Sequence, residues 1–347
     1  NENYARELLE LFTIGKGDAA GPGDYTNYTE DDVVAIARVL TGWRHVDFSD
    51  LTLVQSSFIP NRHDTGDKQL SHRFNNMIIT DQGEEEYKAV IDIIFQQDEV
   101  ARFICRKLYR WFVGSDIHSD IEVNIIEPMS QMLIADSYNV KPALMALLSS
   151  EHFYEEAIRG CMISHPLDFL FKMVNVFELD LSENYNRQYR TMADLFVDTQ
   201  DLEMVIFNHP NVAGWKAFYQ APQFYKIWMN AVTLPVRSRL TDKLLVGFNI
   251  LGFRIELDVL ALAATLDNPA DPNDLIHELA SIFFVYPISQ EQLTTLKDIL
   301  IPGLPDFEWQ VEYLTYISGS QDLEEAVENK LKALIGTMLK MPEFYLM

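Results

Sequence analysis

Along most of the chain, apolar residues recur every three to four positions, which is the spacing of an amphipathic α-helix. The first fifteen residues show this pattern and end on Gly15, a residue that favours helix termination. The apolar half of the helical wheel carries Tyr4, Ala5, Leu8, Leu9, Leu11 and Phe12. The polar half carries Glu2, Asn3, Arg6, Glu7 and Glu10. We predict a helix that buries its apolar half.

A second helical pattern begins after a polar loop rich in Gly, Pro and Asp at residues 16–27. Thr29 is a good N-cap, and Asp32 three residues later has the position that a capping box requires. Gly42 marks the end of this helix. Its predicted buried stripe is Val33, Ile36, Ala37 and Leu40.

Between Arg44 and Asp81 the helical spacing disappears. Two short apolar runs, LTLVQSSFI from Leu51 and NMIIT from Asn76, are typical of strands and flank the polar insert NRHDTGDKQLSHR. The sequence therefore predicts a small β-hairpin region near residues 44–81, and strand content confined mainly to it.

Helical spacing returns after residue 81 and predicts a mainly α, multi-helical, bundle-like fold. The predicted helices cover residues 84–95, 99–113, 121–136, 142–149, 166–179, 191–207, 222–232, 235–248, 256–264, 273–285, 290–300, 308–317 and 323–339. Two stretches, 106–154 and 277–345, resemble each other in their apolar pattern. We expect either two helical domains, 1–180 with the β insert and 181–347, or one continuous domain.

Composition restricts the partners more than the fold. The chain has 347 residues, 48% of them hydrophobic, with 52 acidic against 27 basic residues and a net charge of −25. Such a surface repels phosphate backbones, so we expect no nucleic-acid partner. No apolar run reaches the length of a membrane span, so the chain is expected to lack a transmembrane segment.

Two cysteines, Cys105 and Cys161, are too few for a disulfide scaffold or a thiolate zinc site. One bridge between them is compatible with an exported protein. Cys105 lies in a helical apolar pattern, which favours a buried free thiol.

Three segments in order carry a family resemblance: NENYARELLELFTIG from Asn1, YTEDDVVAIARVLTGW from Tyr28, and HDTGDK from His63. Together they resemble domain of unknown function family 1800, a bacterial family whose members have no established activity. The resemblance implies an exported protein, located in the periplasm, outside the cell or at its surface. It also implies a companion, because genes of this family often lie beside those of a second exported family.

The resemblance carries two further expectations. Family members usually have a helical region before the first motif, so a chain that starts at Asn1 is expected to be a fragment or a processed product. Many members also have His where this chain has Phe12, so the first helix is not expected to supply an imidazole ligand.

The polar insert holds the candidate metal ligands His63, Asp64 and Asp67. One imidazole and two carboxylates on a loop that contains Gly66 are able to bind a divalent cation with help from elsewhere in the chain. The alternative is structural, since an Asp beside Gly commonly forms a turn. His63, Asp64, Gly66 and Lys68 match the family pattern, which implies a shared role.

A second hypothesis joins the first helix to this insert. The polar stripe Asn3, Arg6, Glu7 and Glu10, together with His63, Asp64 and Lys68, forms one candidate functional cluster. We predict that Arg6 pairs with Asp64 and that Lys68 pairs with Glu7 or Glu10. If the loop lies beyond salt-bridge reach of the helix, the stripe is a solvated surface instead.

Seven aromatic rings crowd residues 207–228. Four of them, Trp215, Tyr219, Tyr225 and Trp228, are candidate ligand-binding aromatics that suit a sugar or polymer surface. Aromatic clusters at near-helical spacing are more often part of a core, and we predict at most one or two exposed rings.

Two functions from different classes follow from these observations. The first is a non-enzymatic binding or assembly protein that acts with a companion exported protein or an extracellular polymer. The second is a metal-assisted hydrolase centred on His63, Asp64 and Asp67, with a divalent metal as its cofactor and with Arg6 or Lys68 steadying developing negative charge. No nucleophile elbow, HExxH helix, P-loop or dinucleotide-binding motif decides between them.

Overall fold

A computed structural model describes residues 1–45 and 56–347. These residues are mainly α-helical with small antiparallel hairpins, as predicted. They form two compact units, Asn1–Phe153 and Tyr154–Met347. The domain boundary predicted near residue 180 lies inside the second unit. No helix in the described ranges combines the length and the apolar character that a membrane crossing requires.

The first unit contains short helices and three two-stranded hairpins. Its helices are α1 (Glu2–Glu7), α2 (Glu30–Val39), α3 (Glu86–Ile94), α4 (Asp98–Phe112), α5 (Ser119–Ile121), α6 (Glu127–Ala135) and α7 (Val140–Leu148). Its strands pair as β1 (Ala19–Gly21) with β2 (Asp24–Tyr25), β3 (Trp43–His45) with β4 (Ser56–Phe58), and β5 (Lys68–Gln69) with β6 (Ile78–Ile79).

The first helix continues beyond α1 as a π-helical turn, Leu8–Thr13, and Gly15 ends it with a φ of 70°. This wider turn keeps Ala5, Leu9 and Thr13 on the buried face. The predicted burial of Tyr4 and Phe12 is wrong, since both are more than half exposed. For Phe12 the reason is the π turn, through which a regular 100° step does not apply; Tyr4 lies in α1, before that turn.

The capping box of α2 is confirmed. Thr29 Oγ1 accepts from the Asp32 N–H, and the Asp32 carboxylate accepts from the Thr29 N–H at 2.7 Å. Val33 and Ile36 are fully buried, together with Tyr28 before the helix. A strong N-cap therefore fixes where α2 begins and which face it presents to the core.

The predicted β region holds β3 to β6 at its described positions, while residues 46–55 of that region lie outside the described residues. Two other hairpins were not predicted, β1–β2 in the first unit and β7–β8 in the second. The turn between β7 (Phe248–Ile250) and β8 (Phe253–Ile255) has positive φ at Leu251 and Gly252. A type I′ turn requires that conformation, and Leu-Gly is a much weaker signal for it than Asn-Gly.

The second unit is built from longer helices around an apolar core. They are α8 (Pro166–Val176), α9 (Tyr185–Asp201), α10 (Thr233–Val246), α11 (Val259–Ala264), α12 (Pro272–Phe283), α13 (Gln290–Leu300), α14 (Asp306–Ile317) and α15 (Gln321–Met338). Trp309, Phe283 and Leu331 are among the side chains that this core buries almost completely.

Two helix predictions in this unit need correction. The helix predicted at 191–207 is α9, which begins earlier because the Asn184 side chain caps the N–H groups of Asn186 and Arg187. The helix predicted at 222–232 is a 3₁₀ segment, Phe224–Trp228, and Phe224 has a φ of 43° that an α-helix does not tolerate.

The last residues of the chain pack into the same unit. Leu346 bridges Ile163 in antiparallel fashion, and the Ser164 N–H donates to the Tyr345 carbonyl at 2.8 Å. In the first unit, Cys105 is a buried free thiol, as predicted, and burial raises its pKa to about 12.

Candidate functional site

The loop at residues 63–67 lies against α2 and is held there by Arg38. The guanidinium donates to both carboxylate oxygens of Asp64, at 2.7 and 3.1 Å, and to the Asp67 carbonyl at 3.1 Å. The Arg38 hydrogen bond and a second one from the Gly66 N–H hold the pKa of Asp64 well below its usual range. This pairing anchors the loop at the C-terminal end of α2.

Lys68 and Glu86 form a fully buried ion pair beneath this loop. Lys68 Nζ lies 2.7 and 2.9 Å from the two Glu86 oxygens and also donates to the Asp64 carbonyl. Lys68 belongs to β5 and Glu86 begins α3, so the pair joins the hairpin to the following helix. Because both side chains are inaccessible to water, each charge is stabilised by the opposite charge of its partner.

The His63 imidazole is also buried, with 2% of its side chain exposed. Its Nδ1 lies 3.0 Å from the Thr41 carbonyl, an acceptor, so this nitrogen carries the hydrogen. Its Nε2 faces two carboxylates, 3.0 Å from Glu86 Oε2 and 3.6 Å from Asp81 Oδ1. Neither approach has hydrogen-bond geometry, and Nε2 is a buried nitrogen without a hydrogen-bond partner.

The structure does not bring together the metal set His63, Asp64 and Asp67. Asp64 is saturated by Arg38, and the Asp67 side chain is exposed. Within the described ranges, His63 instead shares a group of metal-ligand atoms with Asp81 and Glu86, all within 4.8 Å of one another. Sequence reasoning missed both partners because neither lies in the loop, and the only local signal was the acidic run at Glu84 to Glu86.

The predicted pairing of the first helix with this loop is wrong. Arg6 donates to Glu30 at 2.6 Å and, more weakly, to Glu2 at 3.4 Å. Glu10 accepts from the Tyr28 hydroxyl at 3.1 Å, while Asn3 is exposed and Glu7 partly exposed. Glu30 and Arg38 lie at opposite ends of α2, about 12 Å apart along the helix axis. The stripe and the loop therefore contact α2 at separate places.

Asp32 was predicted as a helix cap and has a second role. Its carboxylate also accepts from the Ser71 N–H and hydroxyl, both at 2.7 Å, and the side chain is fully buried. Asp32 and Arg38 thus hold the segment from residue 64 to residue 71 at two points of one helix. These two attachments to α2 position His63 and Lys68 beside Glu86.

The aromatic segment of the second unit forms a small core. Trp228 is buried, and Phe218 packs edge-on against both Trp228 and Trp215. Trp215 and Tyr225 are half-buried. Among the seven rings, Phe207 and Tyr219 are the exposed ones, as the prediction of at most two allowed. Trp215, Phe218, Tyr225 and Trp228 belong to one small apolar cluster, which does not favour the open groove of the polymer hypothesis.

A different surface of this unit exposes apolar residues in a regular row. Tyr185, Tyr189, Met192 and Phe196 of α9 are exposed to 78, 71, 43 and 37%. At 100° per residue they fall within about 60° of one another, so they form one ridge. The fully buried positions of α9 are polar, namely Thr191, Asp198 and Thr199, while Leu195 on the same face is partly buried and packs against the apolar core. The exposed face of α9 is therefore far more apolar than that of a usual surface helix. Sequence reasoning missed this ridge because it did not assign residues 185–190 to the helix.

Comparison with known proteins identifies the family and nothing more specific. The chain matches the family described as "Protein of unknown function (DUF1800)" over residues 1–346. It therefore belongs to that family, and the match extends well beyond the three opening motifs. Neither a curated protein nor a solved structure matches the chain.

Proposed function

We propose that this member of the DUF1800 family is an exported binding protein whose α9 ridge docks onto a partner protein. The observation that carries the proposal is the exposed apolar face of α9, where four large apolar side chains face solvent while Leu195 is the apolar residue of this helix that packs against the core. A contiguous apolar patch of this kind on a soluble surface is typical of an interaction site.

The side chains of the ridge favour a protein over a polysaccharide as its partner. Tyr, Phe and Met are the residue types enriched at protein interfaces, and Tyr supplies both contact area and a hydrogen-bonding tip. Met192 and Phe196, both exposed, offer sugars no hydrogen bonds. The C-terminal half of the ridge, Met192 and Phe196, thus suits an apolar protein surface.

Charge favours a basic partner over a second copy of this chain. The net charge is −25, so two copies brought together at the ridge would repel each other. A partner with lysines and arginines around an apolar centre would instead be attracted and oriented before contact. The companion exported protein implied by the family is the expected source of such a surface. The metal-assisted hydrolase is less well supported as first formulated, because Asp64 and Asp67 do not join His63.

The test is site-specific crosslinking of this chain in a mixture of the native host's proteins. The affinity of the chain for the captured protein is then measured. A photo-crosslinking phenylalanine analogue at position 189 should capture one basic protein. The same analogue at position 311 should not, although Val311 of α14 is also an exposed apolar residue of this unit, at 58%. With the captured protein purified, Tyr185→Ser together with Tyr189→Ser should weaken binding at least ~30-fold, as expected for aromatic hot spots.

The matched control is Val311→Ser, which should leave the affinity within about twofold. Binding by the unaltered chain should also weaken as salt is raised, because complementary charge assists the encounter. Three outcomes would overturn the proposal: crosslinking of the chain to itself at position 189, equal capture at positions 189 and 311, or unchanged affinity in the double tyrosine variant.

A further inference from the structure

We propose that His63 Nε2, Asp81 and Glu86 bind one divalent transition-metal ion in the first unit. The three ligand atoms come from three separate places: the loop before β5, the segment after β6, and the first residue of α3. This site is independent of the α9 ridge, and it replaces the ligand set that the loop alone suggested.

The hydrogen bonds of His63 support a cation at Nε2. Because Nδ1 must donate to the Thr41 carbonyl, a neutral ring would direct the lone pair of Nε2 at two carboxylates. Lone pairs facing anionic oxygens at 3.0 and 3.6 Å repel unless a positive charge lies between them. The lack of hydrogen-bond geometry at Nε2 argues that this charge is a cation rather than a shared proton.

The distances between the three ligand atoms also fit a single ion. A tetrahedral ion with bonds of about 2.1 Å keeps its ligand atoms about 3.4 Å apart. Nε2 lies 3.0 Å from Glu86 Oε2 and 3.6 Å from Asp81 Oδ1, and all three atoms lie within 4.8 Å of one another. Small side-chain adjustments are enough to place one ion between them. Asp81 is 44% exposed, so its side of the site is open to water as a further ligand.

The surrounding residues have the arrangement expected around a metal-bound histidine. In such sites the second ring nitrogen usually donates to a backbone carbonyl or a carboxylate, which is the contact that Nδ1 makes with Thr41. The Gly83 N–H donates to Asp81 Oδ1 at 3.0 Å and so helps to orient that carboxylate. Lys68 donates to both oxygens of Glu86, Oε2 included, which orients that carboxylate and balances part of its charge.

The donor set indicates the class of ion. One imidazole and two carboxylates, without a thiolate, suit Zn²⁺ or Mn²⁺. Copper(I) prefers sulfur, while Ca²⁺ and Mg²⁺ prefer oxygen ligands throughout. We therefore expect Zn²⁺ and Mn²⁺ to bind, and Ca²⁺ to fail at the same concentration.

Calorimetric titration of chelator-treated full-length chain with Zn²⁺ tests the site. We expect one ion per chain, with affinity reduced at least about tenfold in Asp81→Asn. That position is partly exposed, so the variant should fold. Asp67→Asn is the matched control, since Asp67 is an exposed acid of the loop that carries His63, and it should leave Zn²⁺ affinity unchanged. Binding lost in Asp67→Asn but kept in Asp81→Asn would overturn the assignment.

Nuclear magnetic resonance of the His63 ring tests the site in the unaltered chain. The variant His63→Gln serves only to assign the ring resonances. Zinc binding should shift the Nε2 resonance strongly while Nδ1 stays protonated. If both ring nitrogens are protonated at neutral pH and added zinc leaves them unchanged, His63 is an imidazolium paired with Glu86 and the metal site does not exist.

Discussion

Lys68 in the first unit and Arg237 in the second are both fully buried cations, but they are stabilised differently. Lys68 lies against both oxygens of Glu86. Arg237 donates instead to the Ser164 carbonyl at 2.7 Å, and its guanidinium lies over the rings of Phe169 and Tyr345, 4.7 and 5.6 Å from their centroids. Burial lowers the pKa of Arg237 to about 10.

Lys172 follows the second arrangement. Its ammonium donates to the carbonyls of Phe283 and Phe344, at 3.0 and 2.9 Å, and lies 4.4 Å from the centroid of the Phe344 ring. Burial lowers its pKa to about 8. Among the described residues, neither Arg237 nor Lys172 donates to a carboxylate, and both contact the last residues of the chain.

The difference between the two arrangements lies in what a substitution leaves behind. Removing one member of an ion pair leaves the other charge buried without compensation, which is strongly destabilising. Removing a cation held by carbonyls and rings loses hydrogen bonds but also relieves the cost of burying a charge. The first unit should therefore respond more severely than the second to neutral replacements of comparable size.

The largest expected effect is that of Lys68→Met, which would leave the Glu86 carboxylate buried without its counter-charge. We expect the free energy of unfolding to fall by about 3–5 kcal/mol. Denaturant unfolding measured with a chelator present, so that no metal contributes, gives this value directly. Lys88→Met is the control, because Lys88 is 57% exposed and pairs with Glu85 on the surface. It should destabilise the chain far less than Lys68→Met does, because water screens an exposed pair.

The double variant Lys68→Met with Glu86→Gln sharpens this test. With both charges removed, no charge is stranded, and much of the lost stability should return. If the two single losses simply add in the double variant, the pair does not act as a unit and the comparison between the two regions fails.

Arg237→Met should cost about 2 kcal/mol, because the buried Ser164 carbonyl loses its donor while no carboxylate is left without a partner. The same denaturant experiment, carried out beside Lys68→Met, checks the order of the two effects. A loss as large as that of Lys68→Met would show that Arg237 compensates an anion after all. The difference between the units would then disappear.

Lys172 should make stability depend on alkaline pH. Its pKa is about 8 in the folded chain and near 10.5 when unfolded, so the unfolded chain binds the extra proton between these values. Stability should therefore rise as pH increases from 8 to 10.5. The contribution of this partly exposed side chain is about 1 kcal/mol after solvent screening. Lys172→Met should flatten that part of the curve relative to the unaltered chain, and an unchanged slope would contradict the assignment.

Local signals in the sequence predicted much of the first unit correctly. Thr29 and Asp32 satisfied a capping rule that depends on three residues of separation, and the loss of helical spacing after Arg44 located two of the hairpins. These features depend on neighbours along the chain, so pattern and residue type are enough to find them.

The charge pairs were not predictable in the same way. Arg38 meets Asp64 across 26 positions and Lys68 meets Glu86 across 18. The sequence offers many acids for each base, and only the packing of α2 against β5 selects among them. Prediction of the first helix had the same limit. Its residue types do not indicate that Arg6 faces the start of α2 rather than the loop at the end of α2.

The smallest expected effect belongs to Arg6, which the sequence had suggested as the key residue of a shared site. Arg6 pairs with Glu30, but the two side chains are 30 and 36% exposed, so water screens the interaction. Arg6→Ala should lower the free energy of unfolding by about 0.5 kcal/mol, and less at high salt. Thermal melts at two salt concentrations, with Lys88→Ala alongside, measure this. Similar small shifts in both variants would place Arg6 among solvated surface pairs, whereas a loss near that of Lys68→Met would return it to the buried network.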